Sequence, residues 1–352
     1  HTDRVHAVAV VQGPDGPLAV TASYDKLAIV WDLTTGAHRH TLTGHTGPVI
    51  AVAVVQGPDG PLAITTSYDK LAIVWDLTTG AHRHTLTGHT GPVDAVAVVQ
   101  GPDGPLAITT SHDGLAIVRD LTTGAHRHTL TGHISPVIAV AVVQGPDGPL
   151  AITASEDWRD VVLDLVSGAL RNAPAADSVI AMAVAQAPDG PLANTTSREG
   201  FAIVWDLTTG ARRHTLTGHT ASMIAMAVVQ GPEGPLAITT SYDWSAIVWD
   251  LTTGARRHTL TGHTDRANAV AVVQGPDGPL AITASHDGTA IVWDIVSGAR
   301  RHTLTGHTDA VIAVAVVQGP DGPLAITASH DGTAIVWDIV SGARRHTLTG
   351  HT

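Results

Sequence analysis

Residues 45–88 read HTGPVIAVAVVQGPDGPLAITTSYDKLAIVWDLTTGAHRHTLTG, and variants of this 44-residue unit fill the whole chain of 352 residues. A fixed period of this size is typical of one supersecondary unit arranged as an array or a ring. We therefore divide a single domain, residues 1–352, into eight repeats: 1–44, 45–88, 89–132, 133–176, 177–218, 219–262, 263–306 and 307–350. The fifth is two residues shorter than the others, and His351-Thr352 would begin a ninth.

Each repeat contains four short stretches of strand character. In the second repeat these are 49–55, 62–67, 71–76 and 82–87, separated by turn signals at 56–61, 68–70 and 78–80. The first three stretches are apolar at nearly every position, which indicates sheets that are covered on both faces. No segment carries an apolar stripe at helical spacing, which argues against a (β/α)-barrel.

Radial stacking covers both faces of such sheets, because each sheet packs on two neighbours around a ring. The sequence therefore predicts an all-β fold, a β-propeller of eight four-stranded antiparallel blades. The alternative is a seven-bladed ring beside one degenerate repeat, the fifth. Because every repeat contains all four strands, we expect no strand exchange between the chain ends and expect packing alone between copies one and eight to close the ring.

The residues at fixed places in each repeat carry a family resemblance over the whole chain. Gly44-His45, Ser67, Asp69 and Trp75-Asp76 resemble the WD40 repeat. The resemblance implies a β-propeller in which His, Ser, Asp and Trp of each blade form one hydrogen-bonded chain, satisfying four polar groups together. Five copies hold the full set: His1, Ser23, Asp25, Trp31; His45, Ser67, Asp69, Trp75; His219, Ser241, Asp243, Trp249; His263, Ser285, Asp287, Trp293; His307, Ser329, Asp331, Trp337.

Copies three to five depart from this set. Arg119 and Leu163 replace Trp in the third and fourth copies. The fifth copy retains Ser197 and Trp205 but has Asp177 for His and Glu199 for Asp. Two ionised acids cannot donate to each other, so the hydrogen-bonded chain of the fifth copy is expected to be broken or rearranged.

Composition excludes several classes of function. The chain has no Cys, which excludes disulfides and Cys-ligated zinc, and its apolar runs are too short to span a bilayer. The net charge of −12 comes mostly from turn and Trp-Asp acids repeated in every copy, and no basic stripe suggests nucleic-acid binding. We expect no cofactor and no membrane contact, and we expect one monomeric disc in the cytoplasm. Because His1 is not an initiator Met, we expect the disc to be part of a longer protein.

Three sets of repeated residues could have a chemical role instead of a structural one. A Ser-His-Asp hydrolase triad is disfavoured because the same set recurs around the ring without a Gly-x-Ser-x-Gly elbow. The pairs at His38 and His40 and at equivalent places could share a metal, but later copies replace the first His by Arg, and edge strands favour such side chains. The Asp59-type turn acids could attract cations together, although Pro-Asp-Gly turns select Asp for local reasons. We therefore predict no metal site.

Differences among the copies are confined to a few places. Copies seven and eight differ at three of 44 positions, all shortly after Gly-His. Copies two and three differ at four positions: Ile50 and Asp94, Tyr68 and His112, Lys70 and Gly114, Trp75 and Arg119. The WD40 resemblance implies that the residues after Gly-His and the turn around the Asp point to one face, which commonly docks peptides and proteins.

We name this predicted face the rim. Tyr, Trp and Arg beside aliphatic residues are the composition of an interaction hot spot. The alternative is drift in unconstrained loops. The predicted partner-binding residues are Arg4, His6, Tyr24, Tyr68, Asp94, His112, Glu156, Trp158, Arg198, Tyr242, Trp244, Arg266, Asn268, His286 and His330, with Ile50, Ile138, Ile180, Ile224 and Ile312 as aliphatic neighbours.

The sequence thus predicts a non-catalytic scaffold or recognition module that presents this rim to a protein or peptide. A different interpretation is the sensing region of a larger bacterial signalling protein, such as a kinase or a nucleotide-driven switch. A kinase or P-loop segment in the full-length chain would favour the second interpretation. An enzymatic propeller would need a catalytic acid pair converging in the channel.

Overall fold

The computed structural model describes residues 1–145, 148–157, 160–171, 179–187 and 189–349. Their strands form eight separate four-stranded antiparallel sheets, each with its strands in chain order. The predicted eight-bladed propeller is confirmed, and the seven-bladed alternative is wrong, because the fifth repeat forms a complete sheet. We number the blades 1 to 8 by their repeats.

The strands of successive blades occupy equivalent positions. The first strands are Val5–Gly13, Val49–Gly57, Val93–Gly101, Val137–Gly145, Val179–Ala187, Met223–Gly231, Ala267–Gly275 and Val311–Gly319. The second strands are Gly16–Ser23, Gly60–Ser67, Gly104–Ser111, Gly148–Ser155, Gly190–Ser197, Gly234–Ser241, Gly278–Ser285 and Gly322–Ser329. The third strands are Ala28–Asp32, Ala72–Asp76, Leu115–Asp120, Asp160–Asp164, Phe201–Asp206, Ala246–Asp250, Thr289–Asp294 and Ala334–Asp338. The fourth strands are His38–Leu42, His82–Leu86, His126–Thr131, Leu170–Arg171, Arg212–Thr217, Arg256–Leu260, Arg300–Thr305 and Arg344–Leu348.

The first turn of each blade is shorter than the sequence suggests. In blade 2, Gln56 pairs with Pro61 and Gly57 with Gly60, so the predicted six-residue turn shrinks to Pro58-Asp59. Gly60 has a φ of 130°, which L side chains rarely adopt. The strands therefore run almost to the tip of the hairpin.

The core lies between blades. Leu18, Val20 and Val30 of blade 1 pack with Ile73 and Trp75 of blade 2. An equivalent cluster joins blade 8 to blade 1, so the same kind of apolar contact closes the ring. Each second strand is buried along nearly its whole length, which explains its continuous apolar sequence.

Hydrogen bonds also close the ring, so the expectation of closure by packing alone is wrong. The Gln12 side-chain amide of blade 1 donates to the backbone carbonyl of Gln318 in blade 8. On the outer side, His346 Nε2 of blade 8 lies 3.3 Å from the Thr34 carbonyl oxygen of blade 1. The same Gln contact recurs between neighbouring blades all around the axis. As expected, no described sheet exchanges a strand between the chain ends.

The described residues contain no helix that could cross a membrane.

Candidate functional site

A buried hydrogen-bonded chain links the second and third strands of each regular blade to the loop before its first strand. In blade 6, His219 Nδ1 lies 2.8 Å from Asp243 Oδ2, and His219 Nε2 lies 2.9 Å from the Thr239 hydroxyl. The Trp249 indole N–H donates to the same hydroxyl over 2.8 Å. These partners indicate a neutral imidazole with its proton on Nδ1, because an ionised carboxylate only accepts.

The linking hydroxyl belongs to Thr, and the prediction that Ser links the chain is wrong. Ser241 Oγ donates to the Ala221 carbonyl over 3.1 Å and accepts the Asp243 N–H over 3.1 Å. It therefore fixes the loop and the turn rather than joining His to Trp. Ser23, Ser67, Ser285 and Ser329 likewise bond backbone groups, and the linking hydroxyls are those of Thr21, Thr65, Thr283 and Thr327.

The correction has a simple geometric reason. Side chains two residues apart in a strand lie on the same face, so Thr239 and Ser241 both face the loop. Thr239 lies deeper, opposite Ile247 of the third strand, whereas Ser241 ends its strand. The sequence held the signal, because Thr stands two residues before this Ser in all eight copies.

The irregular blades 3 and 4 keep part of the hydrogen-bonded chain of side chains. In blade 3, His89 contacts both Asp113 and Thr109 at 3.0 Å, while the Arg119 guanidinium donates to the Thr87 carbonyl. In blade 4, His133 Nε2 lies 3.0 Å from Thr153 Oγ1, and the buried Leu163 takes the place of Trp.

Blade 5 keeps the Trp end of the hydrogen-bonded chain. The Trp205 indole donates to Thr195 over 3.1 Å, and Ser197 Oγ accepts the Glu199 N–H. Asp177 lies outside the described residues, so the predicted rearrangement around Asp177 and Glu199 stays a prediction.

Burial controls the charge of these groups. It lowers the pKa of His219, His263 and His307, although the neighbouring carboxylates oppose the shift. Burial alone would raise the pKa of Asp243, but hydrogen bonds from Ser245, the Thr220 N–H and His219 hold it below its usual range. At neutral pH the hydrogen-bonded chains of blades 6, 7 and 8 therefore join a neutral imidazole to an ionised carboxylate.

The outer histidines are used in contacts within the fourth strand and between blades. His38 Nε2 lies 2.8 Å from Thr41 Oγ1, and His40 Nε2 lies 3.2 Å from the Thr78 carbonyl of blade 2. Within the part of the chain that the structure describes, no group of three potential metal ligands occurs.

The two variable places of each blade do lie together. The Tyr242 N–H donates to the Ser222 carbonyl over 3.0 Å, which ties the turn of blade 6 to its own Gly-His loop. The His286 N–H contacts the Arg266 carbonyl in the same way in blade 7. Turns and loops of successive blades thus form one continuous rim.

Side chains from five blades contact one another along this rim. The Arg266 guanidinium lies 5.5 Å from the Tyr242 ring centroid and 3.2 Å from His286 Nδ1. The His286 and His330 ring centroids are 6.5 Å apart. Farther on, His6 stacks on Tyr24 at 5.2 Å, and Tyr24 lies 6.4 Å from Tyr68. We name Tyr242, Trp244, Arg266, His286, His330, Arg4, His6, Tyr24 and Tyr68 the aromatic-basic arc.

The remaining rim residues are more scattered. Asp94 Oδ2 lies 3.3 Å from His112 Nε2, and burial raises the Asp94 pKa to about 6. Asn268 donates to the Val311 carbonyl of the next blade over 3.0 Å. Glu156 and Arg198 are exposed.

Two predicted rim residues differ from the others. Ile50 is buried, with 8% of its surface exposed, so it supports the rim from below and its predicted display is wrong. Trp158 lies outside the described residues.

Trp244 has an unusual backbone for its size. Its φ is 70°, in the left-handed region, and 53% of its surface is exposed. The equivalent positions hold Lys26 and Lys70 in blades 1 and 2, and Gly in four other described blades. A large aromatic residue is therefore both strained and exposed where sister blades have Gly.

The fold and these contacts can be compared with known proteins. The family model described as "WD domain, G-beta repeat" matches residues 1–32, 36–76, 80–120, 124–159, 210–250, 254–294 and 298–338, well over half of the chain. The chain belongs to the WD40 repeat family. Within this WD40 chain the unmatched stretch covers most of the irregular fifth repeat. WD40 propellers are in general protein-interaction scaffolds.

The crystal structure of the computationally designed Ika8 protein is similar to this WD40 chain. Its TM-score is 0.81 at 22% identity, with 96% of this chain and 97% of that chain covered. At this identity the likeness concerns the fold alone. A search of curated proteins found no matching sequence.

Proposed function

We propose that this WD40 propeller is a non-catalytic recognition module that binds a protein or peptide on its rim. The observation that carries the proposal is Trp244, which is exposed at a positive φ where four sister blades have Gly and two have Lys. A left-handed conformation costs a residue with a Cβ about 1–2 kcal/mol. A residue that weakens the fold and exposes apolar surface is typical of a functional site.

The neighbours of Trp244 support the same function. Tyr242, on the same turn, is 48% exposed and lies against Arg266 of the next blade. Tyr, Trp and Arg are the residue types that most often anchor protein interfaces. The buried His and Asp side chains, by contrast, are engaged in holding the blades and do not face the rim solvent.

The sister blades supply substitutions that are known to fit the fold. Trp244→Gly introduces the residue of blades 3, 7 and 8, and Tyr242→His introduces the residue of the same blades. We expect Trp244→Gly to raise the free energy of unfolding by about 1 kcal/mol, because the backbone strain is relieved. Urea denaturation measures this change.

A variant that combines Tyr242→His with Trp244→Gly tests binding. Immobilised wild-type propeller and the Tyr242→His/Trp244→Gly variant would be compared for the proteins that they retain from an extract of the source cells. We expect specific retained proteins to be lost with the variant although its stability does not fall. Equal retention by both proteins would contradict binding at this part of the rim and favour neutral drift.

A further inference from the structure

The positive charges of the rim differ in their surroundings from those of the opposite face. On that face, Arg83, Arg257 and Arg345 each contact the Asp that follows the Trp position and the Asp or Glu of a hairpin turn. On the rim, Arg4, Arg266, Lys26 and Lys70 have no carboxylate within 4.0 Å in the part of the chain that the structure describes. The rim cations are therefore not neutralised by the protein itself.

These cations lie close to three imidazoles. His330 of blade 8 lies near enough to Arg4, Arg266 and His286 for their charges to lower its pKa, after burial, while Asp309 opposes the shift. Burial and the charge of His330 lower the pKa of His6. The centre of the arc, on blades 7, 8 and 1, is thus a place where positive charges repel one another.

The nearby acids are tied to their own loops. Asp3, Asp265 and Asp309 each accept the backbone N–H of the next residue over 2.7 Å. They cap the loops after Gly-His and reduce the local positive charge only in part.

Aromatic residues flank this centre on both sides. Tyr242 and Trp244 lie at one end on blade 6, and Tyr24 and Tyr68 lie at the other on blades 1 and 2. The arc follows five successive blades, 6, 7, 8, 1 and 2, in one direction. Its shape suits an extended chain better than a compact small molecule.

We propose that the aromatic-basic arc binds an extended acidic peptide segment whose flanking apolar or aromatic side chains contact the two tyrosine-bearing ends. This inference rests on the proposed binding function of the rim. The carboxylates of the peptide would neutralise Arg4 and Arg266, and the total charge of −12 would repel a peptide that missed the arc.

The geometry has a consequence for pH. A bound carboxylate beside His6 and His330 favours their protonated forms, so binding takes up protons. The affinity therefore rises as the pH falls from about 7.5 to about 6, where His begins to titrate and peptide carboxylates stay ionised. The other titratable and charged groups that face these imidazoles are Arg4, Arg266, His286 and Asp309 around His330, and Tyr24, which stacks on His6.

The test uses a fluorescent random copolymer of glutamate and tyrosine as the probe and a lysine–tyrosine copolymer as its charge-reversed match. The propeller variant is Arg4→Ala/Arg266→Ala, which introduces the residue that blade 8 has at this position, Ala310. The control is Arg344→His, which removes a charge from an outer strand and introduces the residue of blades 1 to 3. Fluorescence anisotropy at low salt measures the dissociation constants, and thermal melts verify folding.

We expect the acidic copolymer to bind the wild-type propeller more tightly at pH 6 than at pH 7.5. Losing the charge contacts of the exposed Arg4 and the half-buried Arg266 should weaken binding about fivefold to tenfold in the double variant and leave the control unchanged. Preference for the lysine copolymer, absence of acidic binding, or insensitivity to the double variant would overturn the inference. Equal competition by single-stranded oligothymidylate would also overturn it, because any polyanion would then suffice.

The two proposals fail differently. If extract proteins are lost with Tyr242→His/Trp244→Gly while the acidic copolymer does not bind, the rim still binds partners and only the acidic chemistry is wrong. If neither experiment shows dependence on the rim, the binding function itself is wrong.

Discussion

In each of the five regular blades, the threonine hydroxyl of the second strand joins the His and Trp side chains through one oxygen. In blade 6 it accepts the Trp249 N–H and faces His219 Nε2, to which it can donate. Both neighbours are buried, so neither can bond to water instead. One hydroxyl thereby couples the third strand to the loop beneath the rim.

Replacing this hydroxyl by a methyl group tests the role of Thr. We expect Thr239→Val to lower the free energy of unfolding by about 2–4 kcal/mol, because two buried polar groups lose their partner. Thr153→Val in blade 4 is the matched control, and it should cost about 1–2 kcal/mol because Leu163 requires no hydrogen bond. Urea denaturation gives both values. Equal costs in the two blades would contradict the coupling.

The buried histidines predict how stability depends on pH. The pKa values of His89, His219, His263 and His307 are lowered in the folded protein, so protonation favours the unfolded state. Their contribution is complete above the unfolded pKa of about 6.5 and is lost as the pH falls below it. Asp94, with its pKa raised to about 6, acts in the opposite direction.

The measurement is the urea midpoint between about pH 7.5 and about pH 3.5. We expect a continuous decrease below about pH 6.5, followed by a steeper loss near pH 4, where the network carboxylates with lowered pKa values begin to protonate. A midpoint that stays constant or rises as the pH falls from 7 to 5 would show that these imidazoles are not held neutral by the fold.

At the scale of strands and blades, much could be predicted from the sequence. The apolar stretches gave the existence and order of the four strands, because periodicity and Gly or Pro turns are local signals. The length of the first turn could not be predicted, since Pro61 has low strand preference and the local sequence is rich in turn residues, yet Gln56 and Pro61 pair in the sheet. The role of Thr239 was also missed, because both hydroxyls lie on one strand face and only the depth separates them.

Blade 3 is a natural substitution experiment within the chain. Its His89, Asp113 and Thr109 keep their contacts, while burial lowers the pKa of Arg119, which fills the Trp position. The guanidinium donates to the Thr87 carbonyl, so it has a partner, but it lies where an indole would bury apolar surface.

We expect Arg119→Trp to raise the free energy of unfolding by about 1–2 kcal/mol, because a partly buried charge is replaced by a large apolar ring with its own hydroxyl partner. Urea denaturation measures the gain. The control is Arg127→Lys, a substitution on the exposed fourth strand of the same blade that keeps the positive charge. A loss of stability would mean that the Thr87 contact matters more than the apolar surface.

At the scale of the whole ring, the number of blades followed from the number of copies, but the way the ring closes did not. Contacts between residues that are more than 300 positions apart, such as Gln12 with Gln318, leave no local signal in either segment. The repeat nevertheless carries the information, because every blade offers the same donor to the next one. The rim arc likewise emerges only when Tyr242 and Arg266, from different blades, are placed side by side.

The terminal junction and the junction between blades 6 and 7 have the same contacts, which predicts that the junction between the chain ends is no weaker. His346 contacts Thr34 across that junction, and His258 makes the equivalent contact with Val296 between blades 6 and 7. We expect His346→Ala and His258→Ala to lower the free energy of unfolding by the same amount, about 0.5–1.5 kcal/mol each, because each removes one exposed hydrogen bond. Hydrogen exchange distinguishes a closed ring from one that opens at its ends. A rise in exchange across blades 1 and 8 in His346→Ala, with no comparable rise across blades 6 and 7 in His258→Ala, would contradict this prediction. The terminal junction would then be the weaker of the two, because sequence separation adds an entropic cost to reclosure there.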